Sequence, residues 1–163
     1  MELLAEMERE GVLSKPISLL TLGQVVPMLS YLPAAKMLRR NLHDLAQSNL
    51  VNWVDFSAPG DGACFALCDP VACSGVATEN QTGPKILSAA FSQNMSEARH
   101  KAQKNKFFRM HFQYLCAFDN PGIYDYFAIT AGPVDLATRY ADKGESPSKS
   151  VKCFNHHKDM ADV

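Results

Sequence analysis

No stretch of this sequence stays apolar for the eighteen or so residues that a membrane-spanning helix needs. Charge of one sign is missing as well. The chain has 16 Lys and Arg against 17 Asp and Glu, a formal net charge of −1, so no bulk electrostatic pull toward nucleic acid or an anionic membrane is expected. The first residues, MELLAEMEREG, are acidic and amphipathic rather than basic and then apolar, which is not the pattern of a signal peptide. No internal repeat is visible. Cysteine is sparse and odd in number, at 5. Cys64, Cys68, Cys73 and Cys116 lie in core-like or strand-like surroundings, which reads as a reduced, cytoplasmic protein. With 163 residues, 47% of them apolar and 20% charged, the chain has the content of one globular domain or a piece of one.

The order of segments carries more than the composition. Leu3, Leu4 and Met7 form an apolar stripe in a charged background, a helix closed by Gly11. ISLLTLG, residues 17–23, is apolar on both faces, as a buried parallel strand is. Pro27 and Pro33 bracket a loop or short helix. Ala34, Leu38, Leu42 and Leu45 then recur at helical spacing, with Lys36, Arg39, Arg40 and Asp44 outside the stripe. Residues 51–56 form the next strand, and KILSAAFS (85–92) is a candidate third. Arg99, Lys101, Lys104 and Lys106 sit in a polar segment (94–106) without interleaved aromatics, which reads as a solvated face rather than a phosphate or RNA patch. Residues 124–141 read as a closing helix interrupted at Gly132 and Pro133. From residue 143 onward the chain is polar and Ser/Lys-rich, and is expected to fray. The domain reading is therefore 1–142 folded and 143–163 a tail.

The chemistry concentrates in VNWVDFSAPGDGACFALCDPVA, residues 51–72. An apolar-aromatic strand ends in a Pro-Gly turn carrying Asp61, and Asp69 follows one Cys-rich turn later. Strand exits in α/β proteins are where reactive side chains face a crevice. Fifty residues beyond Asp61 lies His111, within FFRMHFQYL. Turn chemistry explains either Asp equally simply, and His111 could equally be a satisfied histidine in an aromatic core. Tyr114 reads as packing. Cys64, Cys68 and Cys73 have C-x3-C-x4-C spacing, which matches no common zinc pattern and has no nearby His, so no metal or cofactor is expected.

Three phrases, in this order, resemble the C-terminal half of α/β-hydrolase-fold lipases and esterases. SLLTLGQVVPML resembles the strand after that family's nucleophile helix. WVDFSAPGDGACF resembles the strand that runs into the acid-bearing turn, and HFQYL resembles the H-x-x-Y segment that bears the histidine. The resemblance spans residues 3–140. It implies a mostly parallel sheet with flanking helices, with Asp61 as triad acid and His111 as general base. Asp69 is the alternative acid, since CDPV resembles a D-P-V phrase of lipase-like proteins; Asp61 is favoured because it lies closer to the strand exit. The family's nucleophile sits in G-x-S-x-G upstream of both. No such motif occurs here, and the nearest string, Gly144 to Ser148, lies downstream of His111. The implied protein is thus a C-terminal fragment of a serine hydrolase, inactive alone, whose intact parent would act on a small-molecule or lipid ester. The other reading is a non-catalytic binding or oligomerisation module that self-associates through an exposed sheet edge at residues 17–23. Neither reading includes a nucleic-acid partner.

Overall fold

Residues 51–57 show no polar/apolar alternation because the strand they form is covered on both sides. In a computed structural model, which describes residues 1–162, β1 (Ile17–Leu22), β2 (Val51–Ser57) and β3 (Lys85–Ser88) form a parallel sheet in the order β1-β2-β3. Ile17 pairs with Val51 and Leu22 with Phe56; on the other side Val54 pairs with Lys85 and Ser57 with Ser88. The class is mixed α/β, a small three-stranded parallel sheet with flanking helices.

The helices in chain order are α1 (Glu2–Arg9), α2 (Val26–Ser30), α3 (Lys36–Gln47), α4 (Pro70–Ser74), α5 (Phe91–Asn94), α6 (Glu97–Gln103), α7 (Phe107–His111), α8 (Tyr126–Thr130) and α9 (Leu136–Tyr140). A single 3-10 turn, Phe112–Leu115, continues α7. Strand parity divides the core. Val51 and Trp53 face Ala5 of α1, Leu42 and Leu45 of α3, and Val71 and Val76. Val54 and Phe56 face the opposite layer, which is aromatic: Phe91, Tyr114, Tyr124 and Tyr140, with Met110. Phe56 lies with its ring centroid 4.7 Å from Tyr124 and 5.4 Å from Tyr140, in tilted and edge contacts favoured by aromatic quadrupoles. The expected closing helix is two short helices, each started by an aspartate. Asp125 caps α8 by accepting from the Phe127 and Ala128 amides, and Asp135 caps α9 by accepting from Thr138 N–H. Among the described residues no helix is long and apolar enough to cross a membrane.

Three features differ from the expectations. Arg39, placed outside the apolar stripe of α3, is fully buried. Its guanidinium donates to the carbonyls of Ser30 (2.7 Å), Leu32 (2.9 Å) and Pro33 (3.1 Å), and to the carbonyl (2.7 Å) and carboxylate (3.2 Å) of Asp159. A rigid fork of donors finds acceptors only where a turn leaves carbonyls free, which helical periodicity does not register. Those acceptors include the C-terminal segment, which has a defined course here. Asn155 is buried and donates to the carbonyls of Ser30 and Ser74, and Ser146 N–H donates to Ile86 O at the outer edge of β3. Its polar composition supplies specific partners rather than solvation alone. Thirdly, Cys68 and Cys73 form a disulfide across the start of α4, with Cα atoms 6.6 Å apart, and Cys116 is exposed.

Asp55, on β2, is buried with its Oδ2 unpaired. Burial pushes its carboxyl up from the ordinary 3.8 to about 7; the Thr21 hydroxyl, which donates to Oδ1 at 2.6 Å, pulls it partway back, and the Asp69 charge adds to the rise.

Two outcomes are expected. Arg39→Met leaves four carbonyls and a carboxylate without their donor, and should lower the unfolding free energy in urea by about 3 kcal/mol, with Arg39→Lys failing to restore it. Asp55 favours the folded state through its neutral form. Its contribution is therefore full below pH 3.8, falls as pH rises from there to about 7, and is flat above. Asp55→Asn should remove that slope from a series of unfolding curves between about pH 4 and 8.

Candidate active site: an acid–histidine pair at the carboxyl edge of the sheet

The carboxyl ends of the strands converge on one place. Gly23 follows β1, Asp61 follows β2, and the segment bearing His111 and Tyr114 follows β3. At the end of β2, Ala58-Pro59-Gly60-Asp61 makes a turn in which the Asp61 N–H donates to Ala58 O at 2.9 Å. Asp61 Oδ1 accepts from Ala63 N–H at 2.9 Å, an Asx turn that fixes the side chain. Oδ2 is then aimed at His111 Nδ1, 2.9 Å away.

The two side chains differ in access: that of Asp61 is fully buried and that of His111 is 29% exposed. A carboxylate only accepts, so Nδ1 carries the hydrogen and donates, which leaves the Nε2 lone pair toward the accessible side. Among the described residues nothing hydrogen-bonds Nε2. The imidazole is thus oriented by a buried carboxylate and free at its other nitrogen. That arrangement can take a proton from a third group and stabilise the imidazolium that results.

Neighbouring residues hold the pair. The Tyr114 hydroxyl accepts from Ala58 N–H at 2.9 Å, tying the acid turn to the turn just after His111. Tyr114 is itself clamped between Phe91, at 4.7 Å between centroids, and Tyr124, whose hydroxyl donates to Tyr114 O at 2.7 Å. Its phenol is held neutral, well above its ordinary range, mainly by burial, with the nearby Asp61 carboxylate adding to it. Gly23 has φ +53°, and a Cβ there would lie 2.6 Å from Tyr114 Cε2 and 3.1 Å from Asp61 Oδ2. Only glycine fits that approach.

Asp69 is occupied elsewhere. Its Oδ1 caps α4 by accepting from the Val71 and Ala72 amides, and its Oδ2 accepts from Gln81 Nε2 at 3.0 Å and faces Lys149 Nζ at 3.3 Å. It makes no hydrogen bond or ion pair with His111. Ser146 lies against β3, with its N–H on Ile86 O. Cys64, three residues past the acid, has its thiol directed at Asp61 O (3.5 Å) and near the Tyr114 hydroxyl (3.7 Å). Burial pushes that thiol up to about 12, so it stays protonated rather than serving as a thiolate nucleophile. Among the described residues no group of three or more His, Cys, Asp or Glu is arranged to hold a metal ion. The hollow that touches the acid turn encloses about 190 Å³ and is lined by Ala58, Pro59, Gly60, Phe91, Gln93 and His100. That is below the ~300–1,000 Å³ of an ordinary ligand pocket, and neither Asp61 nor His111 lines it.

Sequence reasoning singled out Asp61 and His111, but missed the positioning roles of Gly23 and the Tyr114 hydroxyl. The glycine at the strand exit and the H-x-x-Y spacing were the available signals. Comparisons with protein-family models, with curated proteins and with solved structures return no match to this chain.

Asp61→Asn retains the Asx turn but can donate to Nδ1 instead of accepting from it. The His111 imidazole should therefore switch from the Nδ1–H to the Nε2–H tautomer, read from 15N chemical shifts at a pH where the ring is neutral. An unchanged tautomer would mean that the carboxylate does not orient the ring.

Proposed function

We propose that this chain is the C-terminal portion of an α/β-hydrolase-like serine hydrolase of esterase or lipase type, and that it contributes the acid and the histidine of a Ser-His-Asp triad. The observation that carries the reading is the 2.9 Å bond from His111 Nδ1–H to the buried Asp61 Oδ2, with Nε2 left open. The placement of acid and histidine after consecutive parallel strands supports it, as does a left-handed glycine packed against the acid. In the proposed reaction, Nε2 accepts the proton of a serine hydroxyl as that oxygen attacks the ester carbonyl. The imidazolium, steadied by Asp61, then protonates the departing alkoxide, and water repeats the sequence to release the acid. The serine is supplied from outside residues 1–163, so the chain alone is inactive. The substrate class is a small-molecule or lipid ester. A cytoplasmic location is part of the same reading, resting on the free thiols of Cys64, Cys116 and Cys153; the Cys68–Cys73 bond weighs the other way.

A second reading, a non-catalytic binding or oligomerisation module, is favoured by β1. Ile17 N–H donates to Leu50 O and Gly23 N–H to Phe56 O, so odd-numbered amides face β2 and those of Ser18, Leu20 and Leu22 point outward. An edge of that kind is a template for a further strand.

The hydrolase reading expects a strand followed by G-x-S-x-G in the coding sequence upstream of Met1. The longer product should hydrolyse nitrophenyl esters, with activity falling about 10⁴-fold or more in His111→Ala or Asp61→Ala and little changed in Asp69→Asn. Residues 1–163 alone should give no turnover. Loss of activity in the Asp69 variant with the Asp61 variant active, or His111-dependent turnover by residues 1–163, would overturn the assignment.

A further inference from the structure

Balanced net charge hides a strongly one-sided surface. Between Ala98 and Phe118 the sequence has no Asp or Glu at all, in a protein whose formal charge is −1. Lys101, Lys104, Lys106 and Arg109, from α6 to α7, are all exposed, and among the described residues none of the four forms an ion pair.

Directly beside these cations the protein exposes large apolar side chains. Phe108 is 71% exposed, Phe112 56%, Phe107 55% and Leu115 47%. Phe107 lies against the acid loop, since a Cβ at Gly62 would sit 3.8 Å from its Cε2, and the Phe112 ring is 5.4 Å from that of His111. Exposed aromatics of this kind are unfavourable in water, and the adjacent cations repel a basic protein surface.

We infer that the face made by α6, α7 and the adjoining 3-10 turn docks on an anionic phospholipid bilayer. Phe107, Phe108 and Phe112 enter the headgroup–acyl boundary while the lysines contact lipid phosphates. Cations directly beside exposed aromatics suit a bilayer interface, where buried apolar area and attraction to anionic lipid act together. Nucleic acid fits less well. Phe107 and Phe108 meet edge to face, at 86° and 5.4 Å, rather than offering successive parallel ring faces on which bases stack. The inference stands apart from the hydrolase reading, since it concerns docking and needs no turnover. If both hold, docking presents the open nitrogen of His111 to esters at a membrane surface.

The test is flotation of the full chain with vesicles of phosphatidylcholine alone or with about one third phosphatidylglycerol. Binding to the anionic vesicles only is expected. It should weaken about tenfold or more in Lys104→Glu/Lys106→Glu and on raising salt from about 0.05 to 0.5 M, and by a similar factor in Phe107→Ser/Phe108→Ser. All these positions are exposed, so melting curves should match the parent. Phe127→Ser, which removes an exposed aromatic from α8, a helix without basic residues, should bind as the parent does. Equal binding to both vesicle types, or unchanged binding in the lysine or phenylalanine variants, would overturn the inference. So would tighter capture of a single-stranded oligonucleotide that the same variants abolish, or a dimer in solution that Phe107→Ser/Phe108→Ser dissociates.

Discussion

Everything else in this fold is arranged around the double burial of β2. Its backbone is consumed on one side by β1 and on the other by β3, and its side chains alternate between an aliphatic layer with α1 and α3 and an aromatic layer from the second half of the chain. A strand held so completely cannot yield, and the turn that leaves it inherits that rigidity. The acid turn is therefore fixed at its start by the sheet and at Ala58 by the Tyr114 hydroxyl. His111 reaches Asp61 through a segment whose tyrosine belongs to the same aromatic layer. The geometry of the pair thus rests on core packing together with the Asx turn that fixes the Asp61 side chain.

Elements whose signal is local are legible in the sequence. The runs at 17–23 and 51–56 read as strands, although β1, expected to be buried because both its faces are apolar, is a half-buried edge strand, and the stripe of Leu38, Leu42 and Leu45 reads as a helix because the spacing is about 3.6. Asp61 and His111 are legible as candidate residues from the strand exit, the segment order and the resemblance, not from turn chemistry, which explains the aspartate equally simply. Arg39 is not, because the carbonyls that satisfy it come from a turn six to nine residues upstream and from a segment some 120 residues downstream. Nor is the course of the C-terminal segment legible, for the same reason: Asn155 and Asp159 look like solvated polar residues until their partners are known. The exposed phenylalanines of α7 were hidden differently. An aromatic-rich run reads as core, and only its placement at a surface makes it something else.

Polar burial is thus distributed between two regions with opposite consequences. Around Arg39 the buried donors are matched by acceptors, and the C-terminal segment is held to the turn between α2 and α3. At Asp55 the matching is incomplete, so a carboxyl oxygen sits unpaired inside a sheet whose neighbours are Thr21 and Trp53, with the Trp53 indole donating to the Thr21 hydroxyl at 3.0 Å. The first arrangement adds stability; the second makes stability a function of pH.

The two rims of the sheet are finished unequally. At β3, Glu145 accepts from the Ile86 N–H and Ser146 donates to the Ile86 carbonyl, so the outward-facing backbone of that short strand is engaged at Ile86. Among the described residues the outward amides of Ser18, Leu20 and Leu22 on β1 have no partner. A sheet that can grow at both rims can propagate without limit, whereas one obstructed at β3 presents its β1 rim more freely to an added strand. The C-terminal segment, laid along β3 at Ile86, is thus an obstacle to edge pairing on the one side of the sheet where the chain itself supplies a cover.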